Sequence, residues 1–96
     1  VQAVRAMRRC VEKARENGIC MGTVRRSTHF GMAGYYARMA SDAGLIGVAM
    51  TNSASLAAPT FGRSPMLGSN PIAVAVPAGP DSPGVLLDMS TSTVAW

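Results

Sequence analysis

The chain has 96 residues, 48% of them hydrophobic, 15% charged and 5% aromatic, with a formal charge of +4. That balance excludes wholesale disorder, and the length allows one small domain at most. No apolar run reaches the roughly 18 residues of a membrane span, two cysteines cannot build a disulfide scaffold, and one histidine with two cysteines falls short of a four-ligand zinc site. The sequence opens on Val1 and closes on Trp96, and it reads as a section of a longer chain.

The charge is unevenly placed. Arg5, Arg8, Arg9, Lys13, Arg15, Arg25 and Arg26 crowd the first 26 residues against Glu12 and Glu16, while the remainder is close to neutral. Val4, Met7, Val11 and Ala14 form one apolar stripe at i, i+3, i+7 and i+10, so the first segment reads as an amphipathic helix with a solvated basic face. It should run to about Asn17, with Gly18 leaving the helix in a left-handed conformation. The alternative use of that face is a small nucleic-acid- or nucleotide-binding module without catalysis, but the aromatics that stack on bases are missing there.

Ile19–Val24 is short and mostly apolar, which predicts a strand buried on both faces. Ser27 or Thr28 is expected to cap a second helix holding Met32, Tyr35, Tyr36, Met39 and Ala43, ended by Gly44. Leu45–Met50 reads as a second buried strand. Residues 51–70, dense in Asn, Ser, Pro and Gly, read as a long loop. Ile72–Val76 is a third strand between Pro71 and Pro77, residues 77–84 are a turn, and Val85–Asp88 is a fourth strand. Helix–strand units joined by short connections argue for an α/β architecture, a layered mixed sheet with flanking helices.

His29 is the one side chain whose ordinary pKa lies near neutrality, which makes it the candidate general acid/base. Asn52 and Ser53 can offer amide and hydroxyl contacts to a polar ligand, although turns also favour them. Gly68-Ser69-Asn70-Pro71 reads first as a turn into a strand. Asp88 ends an apolar strand and needs partners, such as ribose hydroxyls or backbone N–H groups, if it is buried. Ser90–Thr93 then give a row of hydroxyls suited to capping or to an anion. Cys10 and Cys20 read as packing residues.

Ser27-Thr28-His29-Phe30-Gly31-Met32-Ala33-Gly34-Tyr35-Tyr36-Ala37, Gly44-Leu45-Ile46-Gly47, Thr51-Asn52-Ser53, Gly68-Ser69-Asn70-Pro71-Ile72-Ala73 and Leu87-Asp88-Met89-Ser90-Thr91-Ser92 follow one another in this order. Together they resemble the type 2 malate/L-lactate dehydrogenase family, which also holds ureidoglycolate, sulfolactate and related 2-hydroxy-acid dehydrogenases and a cyclic imine reductase. The resemblance covers essentially the whole chain and matches a middle, cofactor-binding section of the family. It implies a non-Rossmann fold, in keeping with the missing G-x-G-x-x-G. It further implies an NAD- or NADP-dependent oxidoreductase of small 2-hydroxy acids, as a homodimer with no nucleic-acid or membrane partner; no visible export signal, few cysteines and a soluble cofactor argue for a cytoplasmic location. By the same resemblance His29 is the catalytic acid/base, Ser53 a substrate-binding residue, and Asp88, Met89 and Ser90 the cofactor-binding stretch; no metal is implied. Gly-Thr-Asn-Pro is the more usual form of the fourth motif, and Ser69 keeps the hydroxyl. Residues 1–96 alone are expected to be inactive.

Overall fold

The structure, a computed structural model, describes residues 2–92. Two helices and three strands follow in the order α1 (Gln2–Asn17), α2 (Ala33–Asp42), β1 (Gly47–Met50), β2 (Ile72–Val76) and β3 (Val85–Met89). Thr93, the last of the expected hydroxyl row, lies outside the described residues.

α1 turns its stripe of Val4, Met7, Val11 and Ala14 inward, all half-buried, and leaves Arg5, Arg8, Arg9 and Lys13 in solvent. Ala3, Val4 and Met7 pack against the core. The helix ends as expected, with Gly18 at φ 87 and its N–H on Ala14 O at 2.7 Å. Arg15 then reaches the Ala43 carbonyl at 3.3 Å and ties the C-terminal ends of the two helices together. That placement suits a cation, because the last carbonyls of a helix carry partial negative charge.

Residues 19–24 form no strand. Ile19 and Met21 stand 83% and 87% exposed on a segment without regular structure. An apolar run becomes a strand only where a neighbour completes its hydrogen-bond ladder, and among the described residues none flanks it. Cys10 and Cys20 do pack, as expected. Burial first, then a hydrogen bond and the charge of Cys20, push the Cys10 thiol up from its ordinary value.

The second helix also begins later than expected. Gly31 (φ 84) is left-handed and Met32 is extended at φ −71, ψ 123, so no helix can propagate from Ser27 or Thr28. Its end follows expectation: Gly44 (φ 79) donates to Ser41 O and Leu45 to Ala40 O, both at 3.0 Å. These two bonds satisfy carbonyls that would otherwise lack partners, as in a Schellman motif.

The sheet runs β1-β2-β3 and is antiparallel throughout, pairing Val48 with Val74 and Val74 with Leu87. The expected mixed sheet is thus met only in the coarser sense of a small α/β unit. One face, Gly47, Ala49, Ala73, Ala75, Leu86 and Asp88, looks toward α2. There Ala33, Tyr36, Ala37, Ala49, Ala73 and Ala75 make the core. The other face presents Val48, Met50, Ile72, Val74, Val76, Val85, Leu87 and Met89, all exposed except the half-buried Val74. β1 is therefore buried on one face only, and, Leu86 apart, the long apolar side chains of the strands lie on the open side.

Candidate functional site

Small residues let α2 lie almost on the sheet. A Cβ on Gly34 would fall 2.7 Å from Asp88 Oδ2, so position 34 has room for hydrogen only. Into that gap Asp88 Oδ2 accepts the Gly34 N–H at 2.7 Å. Met32, the residue at the cap position, makes no side-chain capping bond. A carboxylate from β3, 54 positions away in sequence, thus satisfies a free N–H of the first helical turn and meets the positive end of the helix dipole.

Just ahead of that turn, Phe30 stacks on Tyr36 with ring centroids 4.6 Å apart and planes at 16°, and the Tyr36 hydroxyl donates to the Phe30 carbonyl. These contacts fix the backbone that carries His29. The imidazole itself is exposed, and its Nδ1 accepts the Gly31 N–H at 3.1 Å. With Nδ1 an acceptor, the neutral ring holds its proton on Nε2. His29 therefore lies on a loop leading into α2, not at the end of a strand.

Residues 51–70 are more ordered than a bare loop. Ala57 bridges Leu67, the chain turns at Pro59–Gly62, and Phe61 is fully exposed at the tip. This arm brings Ser53 back against Ser69 and Asn70. Ser53 Oγ accepts the Ser69 N–H at 2.8 Å, and the Ser53 N–H donates to Asn70 Oδ1 at 3.0 Å. Ser69 O in turn accepts from Thr91 N–H at 2.8 Å, Thr91 Oγ1 at 2.9 Å and Ser90 Oγ at 3.2 Å. Ser53 and Ser90 are thereby joined through one residue.

Of the expected site residues, Asp88 meets the start of α2, near His29 in sequence, while Ser53 and Ser90 share the Ser69 hub. Met89 points to the open face of the sheet, away from Asp88. Among the described residues no hydrogen bond joins His29 to Ser53 or Asp88. Ser69 and Asn70, read from sequence as a turn, organise the site; two hydrogen-bonding side chains 16 and 17 positions from Ser53 were the available signal. An open depression of about 550 Å³ lies at the other end of α2, lined by Arg38, Asp42, Pro77 and Leu86 among others, and touches none of these residues.

Asp88→Ala is expected to cost about 0.5–2 kcal/mol, since it strands the Gly34 N–H and removes a capping carboxylate. Thermal melting of the full-length protein checks it. Asp88→Asn, which keeps an acceptor oxygen, should cost less.

The family model for malate/L-lactate dehydrogenase matches residues 1–96. Malate dehydrogenase of Pyrococcus abyssi is 51% identical over 94 residues, which are 98% of this chain and 25% of that protein. Malate/(S)-sulfolactate dehydrogenase of Methanothermus fervidus is 42% identical over 99% of the chain and 27% of its own length. The solved structure of malate dehydrogenase from Pyrococcus horikoshii superposes with a TM-score of 0.88 at 48% identity, covering 96% of this chain and 26% of that one. The chain thus spans about a quarter of the length of these relatives. With the match running over its whole length, the chain belongs to the malate/L-lactate dehydrogenase family.

Proposed function

We propose that residues 1–96 are the middle, cofactor-binding section of an NAD- or NADP-dependent dehydrogenase that interconverts small 2-hydroxy and 2-keto acids. The match of the family over the whole chain carries this reading. The open apolar face of the sheet supports it, because a finished core would not leave such a face in water.

The donor set fits a nicotinamide dinucleotide. Asp88 and Ser90 stand at the end of β3, and a carboxylate has capacity for a ribose hydroxyl beyond the Gly34 N–H it already accepts. When bound, the nicotinamide ring supplies hydride transfer to or from carbon 2 of the substrate. His29 handles the proton. In oxidation the neutral imidazole takes it from the substrate hydroxyl; in reduction the imidazolium returns it to the carbonyl oxygen. Proton transfer at Nε2 requires Nδ1 to carry a hydrogen, so the contact with the Gly31 N–H opens during the cycle. Ser53 binds the substrate. The family resemblance makes the protein a homodimer, and few cysteines with a soluble cofactor argue for a cytoplasmic location.

The test is loss of reduced-cofactor absorbance by the full-length protein with NADH and NADPH against a panel of 2-keto acids and a cyclic imine. Turnover of at least one 2-keto acid is expected. Turnover of the cyclic imine alone would place the protein among imine reductases, and none at all would overturn the reading.

A further inference from the structure

The stretch that leads from α1 to His29 is held at one place. From Gly18 to His29 every residue is exposed except Cys20, which is half-buried, as is Cys10 on α1. Gly18, left-handed at φ 87, turns the chain back so that the following segment passes Cys10. A Cβ on Gly22 would fall 2.8 Å from Cys10 Sγ, so the returning backbone lies directly on that sulfur. The Cys20 thiol meets the same sulfur and shares with it the hydrogen bond that, after burial, pushes the Cys10 thiol up. Both cysteines are free thiols in this structure. Among the described residues no strand lies beside residues 19–24, so this sulfur contact stands where a ladder would otherwise hold the segment.

We propose that Cys10 and Cys20 form a thiol–disulfide exchange site, which a low-molecular-weight disulfide oxidises to an internal cystine that clasps residues 19–24 to α1. A thiolate of the pair attacks the reagent disulfide and expels one thiolate. The second cysteine, deprotonated in its turn, attacks the mixed disulfide, closes the Cys10–Cys20 bond and expels the other. The two cysteines give up two electrons and two protons, and the reagent leaves as two thiols. Closure disturbs little else. Gly22 sets no side chain against Cys10, and residues 19–24 have no ladder to break, so the segment can shift until the sulfurs reach bonding distance. Because the segment is exposed, the bond belongs to the readily reduced class, and a small thiol reopens it. None of this depends on the dehydrogenase reading.

The test treats the native full-length protein with oxidised glutathione, blocks the remaining thiols by alkylation and maps the peptides. The expected product is a Cys10–Cys20 linked peptide that dithiothreitol reopens. In the oxidised wild type, amide hydrogen exchange over residues 19–24 should slow about tenfold or more, because the tether suppresses local opening. Cys10→Ser and Cys20→Ser, each with one sulfur of the pair, should form no link and show no such slowing. Glutathione retained on either cysteine of the wild type, a link from either to some other cysteine, or both thiols alkylated as before would overturn the proposal. So would a link that forms only in denaturant, since the folded chain would then be holding the sulfurs apart. A linked peptide with unchanged exchange over residues 19–24 would overturn the clasp.

Discussion

Replacing His29 by Asn in the full-length protein is expected to lower kcat by about a hundred- to ten-thousand-fold, the usual contribution of a positioned acid/base. Melting temperature and cofactor affinity should stay close to wild type. The reason for that separation is geometric. His29 is exposed and its single described hydrogen bond is to the Gly31 N–H, so little folding energy depends on the ring. The backbone that carries it is held by other residues, through the Phe30–Tyr36 stack and the Tyr36 hydroxyl. Asparagine can still hydrogen-bond but cannot shuttle a proton near neutral pH. Steady-state kinetics beside a cofactor-binding titration check the prediction. An unchanged kcat would reduce His29 to a loop residue.

The second large effect is on folding. Gly47→Ala should destabilise the protein by about 1–3 kcal/mol or more, because overpacking at a site with no give forces the backbone apart. A Cβ at position 47 would lie 2.2 Å from the Ala37 carbonyl oxygen and 2.8 Å from Ala40 Cβ. The first obstacle is main chain, so α2 itself must lift from β1. That movement would also pull Gly34 from Asp88 and disturb the segment carrying His29, so lost activity should accompany lost stability. Chemical denaturation of wild type and variant measures the difference. Equal stability would show that α2 does not depend on this close approach.

What could be read from the sequence followed from local chemistry. Gly18 and Gly44 end their helices as their type predicts, and the apolar stripe of α1 faces inward. The strands at 72–76 and 85–89 fall between their prolines and glycines nearly as expected. What misled was everything decided at a distance. The cap of α2 comes from Asp88, which no local pattern around Ser27 or Thr28 could reveal. Residues 19–24 have the hydropathy of a strand but, among the described residues, no strand to pair with. The core is made largely of alanines, while Met32, Tyr35 and most large side chains of the open sheet face, Val48, Val76, Val85 and Leu87 among them, are exposed. Hydropathy marks large side chains, whereas the closeness of α2 to the sheet depends on small ones.

The site divides in the same way. His29, Ser53 and Asp88 stood out by residue type and by resemblance to the family. Ser69 and Asn70 looked like turn residues, since their contacts to Ser53 cross the whole arm between 56 and 67. Met89 and Asp88 are adjacent in sequence, yet the period of two along a strand sends them to opposite faces.

The most direct test of the central claim follows deuterium from C4 of the reduced nicotinamide to carbon 2 of the product, using the full-length protein and the 2-keto acid it turns over. The account predicts a 2-hydroxy acid labelled at carbon 2, formed by the wild type and nearly absent with His29→Asn. Unlabelled product, or label transfer undiminished in the variant, would contradict it.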